Sequence, residues 1–348
     1  MAYTTIDDPS AHFQTKIYSG QNSQLAVTND GNSDLKPDWL WIKSRNDSDI
    51  HVVTDSNRGT DLYLSTNSTL AEVSSTADVE AFGTDGFTVN GPNDRVNTGG
   101  GLYVAWQWKA GGGTTSTNND GAVASTVQVN STAGFSILTY TMNSGSNETV
   151  GHGLGVAPKI VITKARERGD SNGFWSFYTT IIDGSLDYLK LNTEGQKNNS
   201  SLSAPTSTVF TGAGSSTASY RIFVAYCFAE VQGYSKFGSY VGNGNANGTF
   251  VYTGFKPAWI MIKKYDTSDD SWVILDNKRN STNVVNGRLF PDLTNAESTS
   301  TDMVDFLSNG FKLRTSGSAY NGNAVGYISM AFAENPFVTS TGIPTTAR

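Results

Sequence analysis

Apolar and polar positions alternate along this chain in short runs of roughly five to eight residues, each closed by a cluster of Gly, Asn, Ser or Asp, the pattern of β-strands joined by tight turns. The runs repeat. Lys36-Pro37-Asp38-Trp39-Leu40-Trp41-Ile42-Lys43 returns as Ala157-Pro158-Lys159-Ile160-Val161-Ile162-Thr163-Lys164 and again as Lys256-Pro257-Ala258-Trp259-Ile260-Met261-Ile262-Lys263. In each, a Pro is followed two residues later by a large apolar residue and six residues later by a Lys. A second run, Leu102-Tyr103-Val104-Ala105-Trp106-Gln107-Trp108, returns as Ile222 to Glu230 and Tyr327 to Glu334. From Pro37 to Val104, Pro158 to Val224 and Pro257 to Ile328 the separations are 67, 66 and 71 residues, so three copies share one layout.

Between these runs lies a third that ends in Asp: Val52 to Asp55, Thr180 to Asp183 and Val273 to Asp276. Arg58 and Arg279 follow in the first and third copies, where the second has Leu186. Further strands are expected at Ile17-Tyr18, Phe135 to Tyr140, Phe250-Val251-Tyr252, Gly86 to Val89 and Gly310 to Leu313. The expected fold is all-β, with three tandem antiparallel β-sandwich modules of jelly-roll or concanavalin-like form. The Pro that heads each repeated strand suits a strand's first residue or an edge. Boundaries follow from the copies: 1–110 with an N-terminal arm, 121–232 and 233–337 as the modules, the Gly- and Thr-rich 111–120 as a flexible linker, and 338–348 as an irregular tail, either an arm or a docking peptide. The second and third modules, with almost no linker between them, are expected to pack closely.

Composition agrees: the 348 residues include 36 Gly, 15 Tyr, 17 Phe and 7 Trp, with only 16% charged, favouring pleated surfaces and tight turns over helices. A net charge of −7, without a run of Lys and Arg, argues against a nucleic-acid partner. The single cysteine, Cys227, cannot form an internal disulfide, so the fold stands on packing. The N-terminus reads as neither a secretion signal nor a membrane anchor, and no apolar run approaches about 18 residues, so membrane insertion is not expected.

No motif supplies catalytic chemistry. The three histidines, His12, His51 and His152, have no Cys or carboxylate at a metal-ligand spacing, and neither a Gly-x-Ser-x-Gly elbow nor a phosphate-binding loop occurs. Asp30-Gly31-Asn32-Ser33-Asp34 alternates oxygen ligands, yet Leu35 and Trp41 occupy the places of the Gly and Glu that a calcium loop requires. Asp55, Asp183, Asp276, Glu230 and Glu334 invite comparison with a glycosidase pair, but carboxylates repeated in every copy point to what the fold needs. The Lys43, Lys164 and Lys263 series is expected to form cross-strand ion pairs with the Asp series on an exposed face. No catalytic, metal or cofactor residue is assigned. Trp39/Trp41 and Trp106/Trp108 lie two apart, on one face of each strand, and suit a core. His152, between two glycines, and Trp175 and Trp272, beside predicted strands, remain as candidate ligand contacts, a Trp at a loop mouth being suited to stack on a sugar ring.

The opening Thr4-Thr5-Ile6-Asp7-Asp8-Pro9-Ser10, the block Val150-Gly151-His152-Gly153-Leu154-Gly155-Val156-Ala157-Pro158, the block Tyr234-Ser235-Lys236-Phe237-Gly238-Ser239-Tyr240 and the ending Asn335-Pro336-Phe337-Val338-Thr339-Ser340-Thr341-Gly342-Ile343-Pro344 together resemble repeat-bearing proteins of marine tailed bacteriophages. The resemblance spans essentially the whole chain. It implies concanavalin-like sandwich repeats in a non-enzymatic virion structural protein: a tail fibre or spike, or a fibre decorating the capsid, with an adhesive surface for host attachment. Its implied partners are other virion proteins, further copies of itself, a trimer first, and a host surface glycan. Its implied place is the virion, assembled in the host cytoplasm and released by lysis. The alternatives on the same fold are a carbohydrate depolymerase and a passive lectin. The resemblance brings no site residues with it.

Overall fold

A computed structural model describes residues 2–143, 145–214 and 221–345. The all-β expectation holds: antiparallel strands form six sheets, and the helices among the described residues are one turn each, Pro9–Ala11 and Ser318–Asn321.

Three larger sheets are built around the same four strands. The first runs, in spatial order, Phe13–Ser19, Leu102–Trp108, Trp39–Ser44 and Val52–Asp55, continuing to Gly59–Leu64 and Val73–Ser74. The third runs Ser235–Val241, Gly326–Pro336, Phe255–Lys264 and Val273–Asp276. In the second, the matching strands are Phe135–Thr141, Ile222–Phe228, Ile160–Ala165 and Trp175–Thr179. Four more flank them: Ser116–Asn118 and Ser125–Asn130 on one edge, Asp187–Lys190 and Asn198–Asn199 on the other. The registers agree as well, since Trp39, Ile160 and Trp259 lie opposite Trp108, Phe228 and Phe332.

The strand after each repeated Pro is central, and its side chains alternate between two cores. Trp39, Trp41, Ile160, Ile162, Trp259 and Met261 enter one cluster shared by all three large sheets. Leu40 and Ile42, Val161, and Ile260 and Ile262 face the other way into three separate clusters. Each of these is closed by a smaller sheet: Leu25–Thr28, Gly86–Val89 and Val79–Gly83; Glu148–Gly151 and Val209–Gly212; Phe250–Tyr252, Gly310–Leu313 and Val304–Leu307. Every large sheet touches both others across the shared core. Trp39 stacks on Tyr226 with ring centroids 4.6 Å apart, Trp108 meets Trp259 at 5.6 Å, and Phe177 meets Trp272 at 5.0 Å, geometries that favour aromatic pairs. All seven Trp are buried.

Three pairs of a larger and a smaller sheet therefore lie around one interior rather than strung along a line. The segment 111–120 is correspondingly not a free linker. Ser116–Asn118 pairs with Ser125–Asn130, and the buried Asp38 carboxylate accepts hydrogen bonds from the amides of Ala110 and Gly112 at 2.7 and 2.8 Å. The tail folds back on the N-terminal segment, where Ser340 donates through its amide to Asp7 at 2.6 Å. Residues 346–348 lie outside the described residues.

Candidate functional site

The repeated lysines do not sit on an exposed face. Lys43, Lys164 and Lys263 are fully buried, and their ammonium groups donate to backbone carbonyls instead of pairing with the repeated Asp. Lys43 bonds the carbonyls of Ser44 and Asp47 at 2.7 and 3.1 Å. Lys164 bonds those of Thr69, Arg168 and Gly173 at 2.9 to 3.1 Å, and Lys263 bonds those of Glu194 and Asp270 at 3.1 and 2.7 Å. Burial pushes each ammonium down to about 8. The expectation failed because these strands are covered on both sides, so the face that carries Trp39 and Trp41 carries Lys43 too.

Thr69 belongs to the first sheet pair and Glu194 to the second, so two of the lysines also tie neighbouring units together. The same cyclic pattern recurs in the backbone. Glu72 N donates to Arg166 O at 2.6 Å, Lys197 N to Tyr265 O at 3.0 Å, and Glu297 N to Arg45 O at 2.7 Å. Arg45, Arg166 and Tyr265 each stand eight residues after the repeated Pro.

Trp175 and Trp272 are buried and serve these junctions. Their indole N–H groups donate to Ser65 O at 2.8 Å and Lys190 O at 3.0 Å. His51 holds the matching place in the first unit. Its Nδ1 accepts from the Trp41 indole at 2.8 Å, which leaves Nε2–H to donate to Phe290 O at 2.9 Å. Burial pushes its pKa down to about 3, so the ring is neutral. His152 is likewise buried: Nδ1 accepts from Leu154 N at 3.2 Å and Nε2 lies 3.1 Å from Thr206 O. It pins a turn in which Gly153 and Gly155 take positive φ, a conformation that favours glycine.

The repeated Asp is a structural element in two units only. Trp39 lies opposite Asp55 and Trp259 opposite Asp276, but Ile160 lies opposite Thr179. Thr179, rather than Asp183, is therefore the counterpart, and Ile182 rather than Leu186 replaces the Arg. Asp55 pairs with Arg58 at 2.6 Å, Arg58 with Glu72 at 2.7 Å, and Glu72 with Arg166 of the second unit at 2.6 Å. Tyr226 of the second unit donates to Asp55 at 2.7 Å. Asp276, Arg279 and Glu297 repeat the chain with Arg45 and the Trp106 indole of the first unit, at 2.6 to 3.0 Å. Burial raises the Glu72 carboxyl, but hydrogen bonds from Arg166 and the charge of Arg58 outweigh it and hold the group below its ordinary range.

A cleft faces solvent where the first and third units meet. It has two lobes of about 290 and 270 Å³ that share Asn277, Lys278 and Glu334. Phe13, Ala258 and Ala333 contribute apolar surface to the first lobe, with Gln14, Thr15, Asp30, Asn32 and Asn335. Asp30 is held by Lys278 at 2.8 Å and Lys16 at 3.1 Å, and Glu334 by Lys256 at 2.7 Å.

A family described as a domain of unknown function, DUF7483, matches residues 8–336. The chain belongs to it. No curated protein and no solved structure matches the chain. The DUF7483 match runs through all three sheet pairs and both ends of the cleft.

Reading the sequence missed the third member of each charged chain, Glu72 and Glu297, and missed the cleft. The first was legible in part: Arg45 and Arg166 stand at one repeat position where Tyr265 breaks the series. The cleft left no repeat signal, because it exists where one unit lacks strands that another has.

Proposed function

We propose that this DUF7483 chain is a structural component of a bacteriophage particle, placed in a tail fibre or spike or in a fibre decorating the capsid, where it displays a surface for host attachment. The observation that carries the reading is the fate of the repeated polar side chains. Asp55, Asp276, Arg58, Arg279 and the three lysines are sealed inside, and the charged chains together with Lys164 and Lys263 hold the units to one another, as a rigid display block requires. A hydrolase reading of the repeated carboxylates loses support from the same fact, since two are consumed by buried Arg and Asp183 is an exposed turn residue bonded to Ser185 and Lys197. The blocks that resemble marine phage proteins supply the virion context, with other virion proteins and further copies of the chain as partners and lysis as the route of release. Peptide mass spectrometry of purified particles of the encoding phage tests this directly. The chain is expected in fixed ratio to the major structural proteins; its absence from the particles contradicts the reading.

A further inference from the structure

We infer that the cleft between the first and third units binds a short neutral oligosaccharide, an assignment that rests on the attachment reading and gives it a site. The matching position at the first-to-second junction is filled. There Ser56 and Asn57, counterparts of Asn277 and Lys278, bond to Gln128 at 3.2 Å and to Thr126 O at 2.9 Å, and Gly113 N donates to Gln128 at 3.0 Å. Those partners lie on the extra strand Ser125–Asn130 and the segment before it, which the first unit lacks. Its edge strand Phe13–Ser19 leaves the cleft open.

Several of the groups facing that space lack partners. Among the described residues the carboxamides of Asn32, Asn277 and Asn335 make no hydrogen bond, whereas that of Gln14, beside them, bonds to Ser10 O, Ser33 O and Gly31 N. Thr15 is only 4% exposed, and its hydroxyl is also without a partner. Asn32 is exposed and Asn277 and Asn335 are half-buried, so the cost of a buried polar group without a partner falls on the Thr15 hydroxyl. Each carboxamide offers both donors and an acceptor, which matches the adjacent hydroxyls of a sugar, and the half-buried Ala258 offers a small apolar contact for its C–H face. Charge favours a neutral ligand over phosphate or a polyanion, since Lys256 and Lys278 are each paired with a carboxylate. The first lobe alone is near the lower end of small-ligand clefts, about 300 Å³.

The test is calorimetric titration of the full-length protein with hexaoses of β-1,4-glucose, α-1,4-glucose, β-1,4-mannose and N-acetylglucosamine, with inorganic phosphate and an oligogalacturonate as charged probes. At least one neutral hexaose is expected to bind saturably. The double variant Asn277→Ala with Asn335→Ala should weaken it at least about tenfold, as the loss of one or two ligand hydrogen bonds implies. Thr15→Val, which keeps the buried shape, should weaken it with no loss of melting temperature, and Asn198→Ala on the far edge of the second sheet should leave it unchanged. Silence with every neutral hexaose, tighter binding of a charged probe, or affinity that survives both cleft variants overturns the assignment. If the chain is nevertheless found in virions, the display reading stands without this cleft. Variant-sensitive sugar binding by a chain absent from virions keeps the cleft and removes the display reading.

Discussion

The junction between the first and second units and the junction between the third and first are closed by buried charge, whereas the junction between the second and third is not. Five positions change together. Asp55 and Asp276 give way to Thr179, Arg58 and Arg279 to Ile182, and Glu72 and Glu297 to Lys197. Across the interface, Arg166 and Arg45 give way to Tyr265, and Tyr226 and Trp106 to Met330, which has no hydrogen to donate. The physical reason is that a buried ion pair contributes little net stability, while one member left alone is a buried uncompensated charge. Such a set is kept whole or lost whole. Lys197, stranded at the third junction, turns to Asp187 and Asp183 at 3.0 and 3.3 Å, with its side chain 24% exposed. All three junctions keep the backbone bond and the ring-to-carbonyl bond, so the framework is common and the charge is an addition at two of them.

The comparison breaks most sharply at Arg58. Arg58→Ala leaves Asp55 buried without its cation, with Glu72 held by Arg166 alone, and should cost about 3–5 kcal/mol in denaturant unfolding; a loss below about 1 kcal/mol would put the charged chain on a par with a surface pair. A second test concerns a buried carboxyl near the third junction. Asp292 lies near Lys263 and Glu194, and burial, only partly offset by its own backbone amide, Ser271 and the charge of Lys263, raises its pKa from 3.8 to about 6. A carboxyl whose folded pKa is raised is no burden below the unfolded value and destabilises increasingly as pH climbs from about 4 to 6. Asp292→Asn should therefore stabilise at pH 7.5 by up to about 3 kcal/mol, one pKa unit being about 1.4 kcal/mol, with the gain gone at pH 3.5. A gain that is equal at both pH values would show that ionisation is not its source. The smallest effect belongs to Lys197→Ala, about 0–1 kcal/mol for a partly exposed pair, measured on the same unfolding curves. A cost matching that of Arg58→Ala would erase the distinction between the junctions.

Much of this fold was legible in the sequence because the repeat is carried by apolar periodicity. Phe135 to Tyr140, Phe250 to Tyr252, Gly86 to Val89 and Gly310 to Leu313 all lie in strands where alternation places them. What alternation cannot convey is what lies beyond each face. Trp39, Trp41 and Lys43 share a face, and a Lys there reads as exposed until a neighbouring sheet is known to cover it. Trp175 opens a strand and Trp272 precedes one, and both read as loop-mouth residues for the same reason. Asp183 was aligned by its identity in a short apolar run, and only the pairing of Ile160 with Thr179 corrects the register. The cleft was least legible: Asn277 and Asn335 are ordinary turn and strand-end residues until the first unit's missing strands leave them unpartnered.

The central claim is that three sheet pairs enclose one core and behave as one body. Differential scanning calorimetry of the intact chain tests it most directly, by comparing the measured enthalpy of unfolding with the van't Hoff enthalpy from the same transition. A single transition with a ratio of about 1 is the outcome predicted for interlocked units. Separate transitions, or a ratio of about 3, would mean three sandwiches that unfold independently, and would contradict it.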